Sequence, residues 1–162
     1  MKQEQKSIIK IYVIAILIPL LVAAASTLLT IKNMDIYTTL NTPPLSPPAI
    51  LFPIVWTILY ILMGISSAMV FIKNRSCNAC LDNGLSFYLS SLILNFCWSI
   101  IFFNMRSFLV AFLVLLALLY FIIRTIISYK RVSPIASYLQ IPYALWVTFA
   151  GYLNIGIWYL NR

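Results

Sequence analysis

Long runs of apolar residues, separated by short polar connections, fill almost the whole of this chain of 162 residues. Five of these runs predict transmembrane helices, at about residues 8–31, 49–72, 84–104, 107–129 and 134–160. Each run reaches the length of about 20 residues that a helix needs to cross a hydrocarbon core about 30 Å thick. None of the five contains an aspartate or a glutamate. The pattern predicts an all-α integral membrane bundle of five transmembrane helices, forming a single domain over residues 1–162.

The charged residues are few and lie mostly at the ends of the predicted helices. Charged side chains make up 9% of the chain and hydrophobic ones 63%, and the net charge is +8 with no histidine. Basic residues at helix ends indicate topology and lipid-headgroup contacts rather than nucleic-acid binding. One side of the predicted membrane topology has seven basic residues and the other side has three. The seven are Lys2, Lys6, Lys10, Lys73, Arg75, Lys130 and Arg131, and the three are Lys32, Arg106 and Arg162. The positive-inside rule therefore predicts a cytoplasmic N-terminus and an external C-terminus.

The predicted spans lack the side chains that most membrane enzymes and pumps use. Their central parts contain no Asp, Glu, His or Lys, which disfavours general acid–base catalysis and ion-coupled pumping. Cys77-x-x-Cys80 is compatible with a redox pair, although two incidental loop thiols are the simpler interpretation, and Cys97 is interpreted as a packing residue. The sequence predicts no metal site and no required cofactor, because a zinc site would need four ligands.

Three of the predicted helices each carry aromatic, small and polar residues at helical spacing. The three sets are Trp56, Tyr60 and Gly64; Asn95, Ser99 and Phe102; and Tyr143, Trp146, Ala150 and Asn154. An asparagine at membrane depth is costly unless it is paired, so Asn95 is expected to point into the bundle. The pattern predicts an internal aromatic pocket for a flat, mostly apolar molecule. Ordinary interhelix packing with aromatic belts is the alternative.

The only sizeable connection, residues 32–48, ends in Pro43-Pro44-Leu45-Ser46-Pro47-Pro48. Four prolines in six residues prevent a helix and keep the segment extended and stiff. We expect a semi-rigid cover over the outer end of the bundle, with a plain linker as the alternative. Ser46 is predicted as the N-cap of the second span with Pro47 at its first position, and Ser133-Pro134 as the same start signal for the fifth.

Three motifs resemble those of the TspO/MBR family, the tryptophan-rich sensory proteins and translocator proteins, also known as peripheral benzodiazepine receptors. The first covers residues 43–70 and includes Val55-Trp56-Thr57-Ile58-Leu59-Tyr60 with Met63-Gly64. The second is Leu94-Asn95-Phe96-Cys97-Trp98-Ser99 followed by Phe102-Phe103. The third is Pro142-Tyr143-Ala144-Leu145-Trp146-Val147-Thr148-Phe149-Ala150 with Leu153-Asn154. The likeness covers nearly the full chain, in order and spacing.

The resemblance implies a five-helix bundle, usually a homodimer, in a bacterial cytoplasmic membrane, with a cavity toward the end that the first loop closes. Ser86 and Ser90 in the third span would allow close approach of a second copy. Family members bind porphyrins, haem or synthetic benzodiazepine-site ligands, and some bind cholesterol. By the resemblance, the ligand-binding residues are Pro47, Trp56, Tyr60, Asn95, Ser99, Phe102, Trp146 and Ala150.

The resemblance leaves several functions open. The leading expectation is a membrane protein that binds a porphyrin or haem as its ligand and carries, buffers or senses it. Light- and oxygen-dependent porphyrin degradation is a second hypothesis, with Trp56 and Trp146 as candidate catalytic residues. A regulatory protein in stress signalling and a sterol or lipid binder are further alternatives. The first loop departs from the family pattern, because Ile36-Tyr37 replaces Trp-Tyr and Thr42-Pro43 replaces Lys-Pro.

Overall fold

Nine helical elements make up the part of the chain that the computed structural model describes, residues 2–76 and 83–162. They are α1 (Lys2–Thr30), a 3₁₀ turn (Ile31–Asn33), α2 (Ile36–Thr39), α3 (Leu51–Ser76), α4 (Gly84–Ser99), a π-helical segment (Ile100–Asn104), α5 (Phe108–Val132), α6 (Pro134–Leu139) and α7 (Ile141–Leu160). The predicted all-α fold is confirmed. The Cys77–Cys80 pair lies outside the described residues.

Within residues 2–76 and 83–162, four helical stretches are long and apolar enough to cross a membrane: Gln3–Asn33, Leu51–Arg75, Gly84–Asn104 and Phe108–Val132. They match the first four predicted spans, although the first helix begins well before the predicted residue 8. The predicted fifth span, residues 134–160, is not one continuous helix. It is divided at Gln140 into α6, of six residues, and α7, of 20 residues. The chain is therefore a membrane protein, whereas the count of five crossings stays a prediction.

The two predicted helix starts have different outcomes. The prediction of Ser46 as an N-cap was wrong, because α3 begins at Leu51 and the Ser46 hydroxyl instead donates to the Pro43 carbonyl at 2.7 Å. That bond tightens the turn between the two proline pairs. Ser133 is the N-cap residue of α6 with Pro134 at the first helical turn, as predicted, although its side chain makes no capping hydrogen bond.

Helices α1 and α3 approach each other closely at Gly64. A Cβ atom on Gly64 would lie 2.5 Å from Cα of Ile16 and 2.8 Å from the Ala15 carbonyl oxygen. Only glycine permits that spacing, which is how small residues bring membrane helices together. The predicted stripe of Trp56, Tyr60 and Gly64 on α3 therefore has two roles, because its glycine packs against α1 whereas its two aromatic residues point to a cavity.

Helix α5 is the central scaffold of the bundle and packs against α4, α6 and α7. Its buried side chains recur at the spacing of one helical face and include Ala111, Leu115, Leu118, Ile122 and Thr125. Its opposite face exposes leucine, isoleucine and valine side chains, as lipid contact requires. Because α5 packs against both α4 and α7, it sets the distance between the helices that carry Asn95 and Asn154.

Candidate ligand-binding cavity

A cavity of about 390 Å³ lies at the end of the bundle nearest the proline-rich connection. Its walls come from α1, the connection, α3, α4, the π-helical segment and α7. The volume falls within the range of about 300–1,000 Å³ that small-molecule sites occupy. Most lining side chains are aromatic or aliphatic, and a few are neutral polar groups. Such a cavity suits a ligand with an apolar body and few hydrogen-bonding atoms.

Aromatic rings form one continuous wall of the cavity. The Trp56 ring stacks on Tyr60 with centroids 5.4 Å apart and an interplanar angle of 26°. Trp98 lies 6.4 Å from Trp56 at 31°, and Phe102 lies 5.5 Å from Trp98 at 36°. All four of these rings line the cavity, so they offer an aromatic surface against which a flat, apolar ligand can pack.

The π-helical segment supplies two of the aromatic side chains. In this turn the Met105 amide donates to the Ile100 carbonyl five residues earlier, at 3.1 Å. The wider turn carries both Phe102 and Phe103 to the cavity wall. Single π-helical turns are found frequently at functional sites, and no pattern in the sequence indicates this one.

Two asparagines fix the aromatic residues at membrane depth. The Asn95 side-chain amide donates to the Tyr60 hydroxyl at 2.7 Å. The Trp98 indole N–H donates to the Asn154 side-chain oxygen at 3.2 Å, and the Asn154 amide donates to the Phe108 carbonyl at 2.8 Å. Asn95 is buried and points into the bundle, as predicted. These bonds join α3 to α4 and α4 to α7, so the aromatic wall is positioned before any ligand arrives.

Residues 41–48, here called the strap, are fastened to α7. The Asn161 side chain accepts a hydrogen bond from the Asn41 amide at 3.0 Å and donates to the Asn41 carbonyl at 2.9 Å. The Tyr152 hydroxyl donates to the Pro44 carbonyl at 2.8 Å. Pro43 rests directly on Gly156, where an added Cβ would approach its ring to 2.7 Å. The strap is therefore held against α7, but none of its residues lines the cavity, so its role as a cover stays a prediction.

The segment leading into the strap also reaches the cavity, through Met34 and Tyr37. The Tyr37 ring meets Phe52 edge to face at 5.2 Å. Burial raises the pKa of the Tyr37 hydroxyl above its ordinary value, and the neighbouring Ser46 hydroxyl offsets part of that rise. Tyr37 therefore contributes a neutral phenol near physiological pH.

Helix α1 forms the remaining wall with Leu20, Ala23, Ser26 and Thr27. The sequence pattern does not assign α1 to the site, because the apolar residues of α1 are distributed around the whole helix. Thr27 on α1 and Pro53 and Thr57 on α3 line the cavity and are also exposed. The cavity therefore reaches the outside of the bundle between α1 and α3.

Six of the eight residues predicted to bind the ligand lie at this one cavity: Trp56, Tyr60, Asn95, Ser99, Phe102 and Ala150. The other two lie elsewhere. Pro47 is in the strap but does not line the cavity. Trp146 lines an apolar groove on the outside of the bundle, between α3 and α7. Its ring contacts Phe52 edge to face at 5.9 Å, so Trp146 stands one ring behind the cavity wall. Ligand binding by all eight stays a prediction.

Trp98 and Asn154 are the most informative lining residues that were not predicted as ligand-binding. Both belong to motifs noted in the sequence, and Trp98 follows Asn95 by three residues, which places the two on one helical face. The signal was therefore present for Trp98. Pairing of Trp98 with Asn154 depends on how α4 and α7 approach α5, and a single sequence does not contain that information.

The fold and the cavity define a class: an all-α membrane protein with a ligand-sized, mostly apolar cavity between its helices. The TspO/MBR family profile matches residues 15–160. A tryptophan-rich protein TspO from Chlorobaculum tepidum is 43% identical over 125 residues, which cover 77% of this chain and 78% of that protein. The chain belongs to the TspO/MBR family.

Two further relatives carry different names. A tryptophan-rich sensory protein from Cereibacter sphaeroides is 32% identical over 139 residues, covering 86% of this chain and 85% of that protein. A translocator protein from Bos taurus is 34% identical over 128 residues, covering 78% of this chain and 75% of that protein. The predicted resemblance is thus confirmed.

Proposed function

We propose that this protein binds a planar tetrapyrrole, a porphyrin or haem, in the cavity between α1, α3, α4 and α7, and that it carries, buffers or senses this ligand. The observation that supports the proposal is the aromatic wall of Trp56, Tyr60, Trp98 and Phe102, whose rings are inclined to their neighbours by 26° to 36°. A tetrapyrrole is flat and apolar over most of its area, so stacking on such a wall removes a large apolar surface from solvent. Relatives named sensory protein and translocator protein are compatible with this role.

The positions of two tryptophans give the experiment its matched control. Trp56 lines the cavity, whereas Trp146 stands behind Phe52 and lines the outer groove. Purified protein in detergent is titrated with protoporphyrin IX, and binding is followed by the shift of the Soret band against empty micelles. We expect saturable binding that Trp56→Leu weakens by about tenfold, a change of about 1.4 kcal/mol, and that Trp146→Leu leaves within about twofold of the wild type.

Two outcomes would count against the proposal in different ways. A Soret shift no larger than that in empty micelles would refute tetrapyrrole binding. Equal weakening by Trp56→Leu and Trp146→Leu would show that the ligand does not occupy this cavity alone, and would favour the original prediction that both tryptophans line the site.

Light-dependent oxidative degradation of the bound porphyrin is a second candidate. The observation in its favour is the pair of indoles, Trp56 and Trp98, whose centroids lie 6.4 Å apart at the cavity. An indole beside an excited porphyrin can donate an electron, and dioxygen would serve as the oxidant. The test is the loss of Soret absorbance under illumination in air. We expect Trp56→Phe to slow that loss and Trp146→Phe to leave it unchanged; equal loss in empty micelles would refute the activity.

A further inference from the structure

The cavity contains no charged side chain among the residues that the structure describes. Its polar members are serine, threonine, tyrosine, tryptophan and asparagine, and all are neutral. The basic residues nearest in sequence to the residues that line the cavity are Lys32, Arg106 and Arg162, and none of the three lines it. Lys32 and Arg106 are exposed. The Arg162 guanidinium lies over the Tyr159 ring at 4.4 Å and the Trp158 ring at 5.5 Å, which holds it at the end of α7.

Five of the neutral donors at the cavity are already engaged within the protein, whereas the Tyr37 hydroxyl has no hydrogen-bond partner within the described part of the chain. The Asn95 and Asn154 amides and the Trp98 indole each donate one hydrogen bond to another protein group. The Thr57 hydroxyl donates to the Pro53 carbonyl at 2.8 Å, and the Ser99 hydroxyl to the Asn95 carbonyl at 3.4 Å. These groups position the walls, so they are poorly placed to surround an additional anion.

Moving an ionised carboxylate into such surroundings is strongly unfavourable. An unpaired charge in an apolar environment loses its hydration without gaining a partner, and proteins normally supply a cation or several hydrogen bonds to compensate. Here no cation faces the cavity from any of the described walls. At the opening between α1 and α3, the exposed lining residues Thr27, Pro53 and Thr57 are also uncharged.

We infer that the cavity selects electrically neutral planar ligands and does not recognise carboxylate groups. The inference rests on the proposed function and narrows it. A tetrapyrrole would bind through its ring face with its acid groups esterified, protonated or held outside the mouth. Ala49 is the residue at which this specificity can be reversed, because it lines the cavity, is exposed and precedes the first residue of α3.

The first test compares protoporphyrin IX with its dimethyl ester, which has the same ring without ionisable carboxyls. Both are titrated into wild-type protein in neutral detergent, with partition into empty micelles subtracted. We expect the ester to bind at least as tightly as the acid. If the acid binds about tenfold more tightly than the ester, the inference is overturned, since that preference needs a recognised carboxylate.

A third probe separates failure of the inference from failure of the proposed function. This probe is an isoquinoline carboxamide, which is flat and neutral but not a tetrapyrrole. If neither porphyrin binds while the carboxamide binds and Trp56→Leu weakens it, tetrapyrrole binding is refuted and the selection of neutral ligands is upheld. If none of the three binds, both are refuted.

The second test introduces the missing charge. Ala49→Lys places an ammonium at the cavity edge, and Ala49→Gln is the neutral control with a long polar side chain. We expect Ala49→Lys to raise the affinity for the acid relative to the ester by about tenfold, equal to about 1.4 kcal/mol, while Ala49→Gln leaves that ratio as in the wild type. An unchanged ratio in both folded variants would contradict the idea that absent charge sets the specificity.

Discussion

Gly64 and Gly151 are both helical glycines, but their surroundings give them opposite tolerance for a methyl group. In Gly64→Ala the new Cβ would lie 2.5 Å from the Ile16 Cα, so α1 and α3 must separate; in Gly151→Ala the nearest atom, on Phe112, is 3.9 Å away. We expect Gly64→Ala to lower the free energy of unfolding by about 1–3 kcal/mol, as overpacking does. Gly151→Ala should be neutral or slightly stabilising, because alanine favours the helix.

Thermal unfolding in detergent, followed by circular dichroism at 222 nm, measures both alanine variants against the wild type. The two substitutions are chemically identical, so helix propensity cancels and only the difference in packing remains. Equal melting temperatures for Gly64→Ala and Gly151→Ala would contradict the close α1–α3 approach.

The buried Asn154 side chain is predicted to stabilise the contact between α4 and α7. Replacing it by leucine leaves the Trp98 indole N–H and the Phe108 carbonyl without their partner. Hydrogen bonds between membrane helices average about 0.6 kcal/mol each and reach about 1.7, so a loss of about 1–2 kcal/mol in unfolding free energy is expected. Thr148→Val, on an exposed position of the same helix where the hydroxyl bonds only to the Ala144 carbonyl, should change stability by less than about 0.5 kcal/mol.

Unfolding in a denaturing detergent, with tryptophan fluorescence as the readout, checks the Asn154→Leu prediction. A separate readout is the emission of Trp98, which should shift when its indole N–H loses its acceptor. If Thr148→Val proves as destabilising as Asn154→Leu, the buried bridge between α4 and α7 contributes nothing beyond an ordinary helix-surface hydroxyl.

Trp146 shows where residue-scale prediction from sequence reaches its limit. Its spacing from Ala150 is one helical turn, and the two residues share a face of α7. At the level of Trp146, however, Phe52 of α3 lies in between and contacts its ring. Periodicity identifies the face of a helix but not the height at which a neighbouring side chain closes the cavity, because that depends on how the helices cross.

The hydrogen bonds of the Asn161 side chain are predicted to hold the strap against α7. Asn161→Ala removes both hydrogen bonds to the Asn41 backbone. Exposed bonds contribute about 0.5–1.5 kcal/mol each, so hydrogen exchange of the strap amides, above all Asn41, should accelerate by about tenfold. Asn161→Asp keeps the acceptor for the Asn41 amide and loses only the donor, so it should give a smaller acceleration.

Hydrogen exchange with mass spectrometry, in detergent and at fixed pH, measures the strap peptide against a peptide from α5 as the internal reference. We expect hydrogen exchange of the strap to be slowest in the wild type, intermediate in Asn161→Asp and fastest in Asn161→Ala. Unchanged exchange in Asn161→Ala would mean that Pro43 against Gly156 and Tyr152 against Pro44 suffice to hold the strap.

Two other elements show what length and hydropathy could and could not predict. The first four spans follow from uninterrupted apolar runs, because any such run of about 20 residues satisfies its backbone only as a helix in lipid. The division at Gln140 was not predicted. Gln140 is buried and donates to the Ser66 hydroxyl at 3.2 Å, and Ser66 donates to the Ala136 carbonyl at 2.7 Å. Pro142 in the first turn of α7 has no amide hydrogen to bond to the Tyr138 carbonyl, so the sequence did contain a signal for this break. The contacts with α3 that accompany the break are not visible in the sequence of residues 134–160.

For the whole molecule, the contacts place the C-terminal end of α5 and the C-terminal end of α7 at opposite ends of the bundle. The Lys73 ammonium donates to the Val132 carbonyl at 3.3 Å, which puts the end of α5 beside the end of α3. The Asn161 side chain bonds to the strap, which puts the end of α7 beside the start of α3. Residues 134–160 therefore run the length of the bundle despite the division at Gln140, as a fifth crossing would. The seven basic residues counted above lie toward the end away from the strap, so we expect that end in the cytoplasm.

Single cysteines test that arrangement, in a background with the native thiols replaced by Cys77→Ser, Cys80→Ser and Cys97→Ser. Leu45→Cys is at the strap, where Leu45 is 83% exposed; Arg162→Cys is at the C-terminus and Lys130→Cys at the end of α5. A membrane-impermeant maleimide applied to intact cells should label Leu45→Cys and Arg162→Cys, and should label Lys130→Cys only after permeabilisation. If only Lys130→Cys is labelled in intact cells, the orientation in the membrane is the opposite of the predicted one, and the fold is not contradicted. Opposite results for Leu45→Cys and Arg162→Cys would instead contradict the fifth crossing, because the four crossings predicted after the strap, an even number, return the C-terminus to the side of the strap.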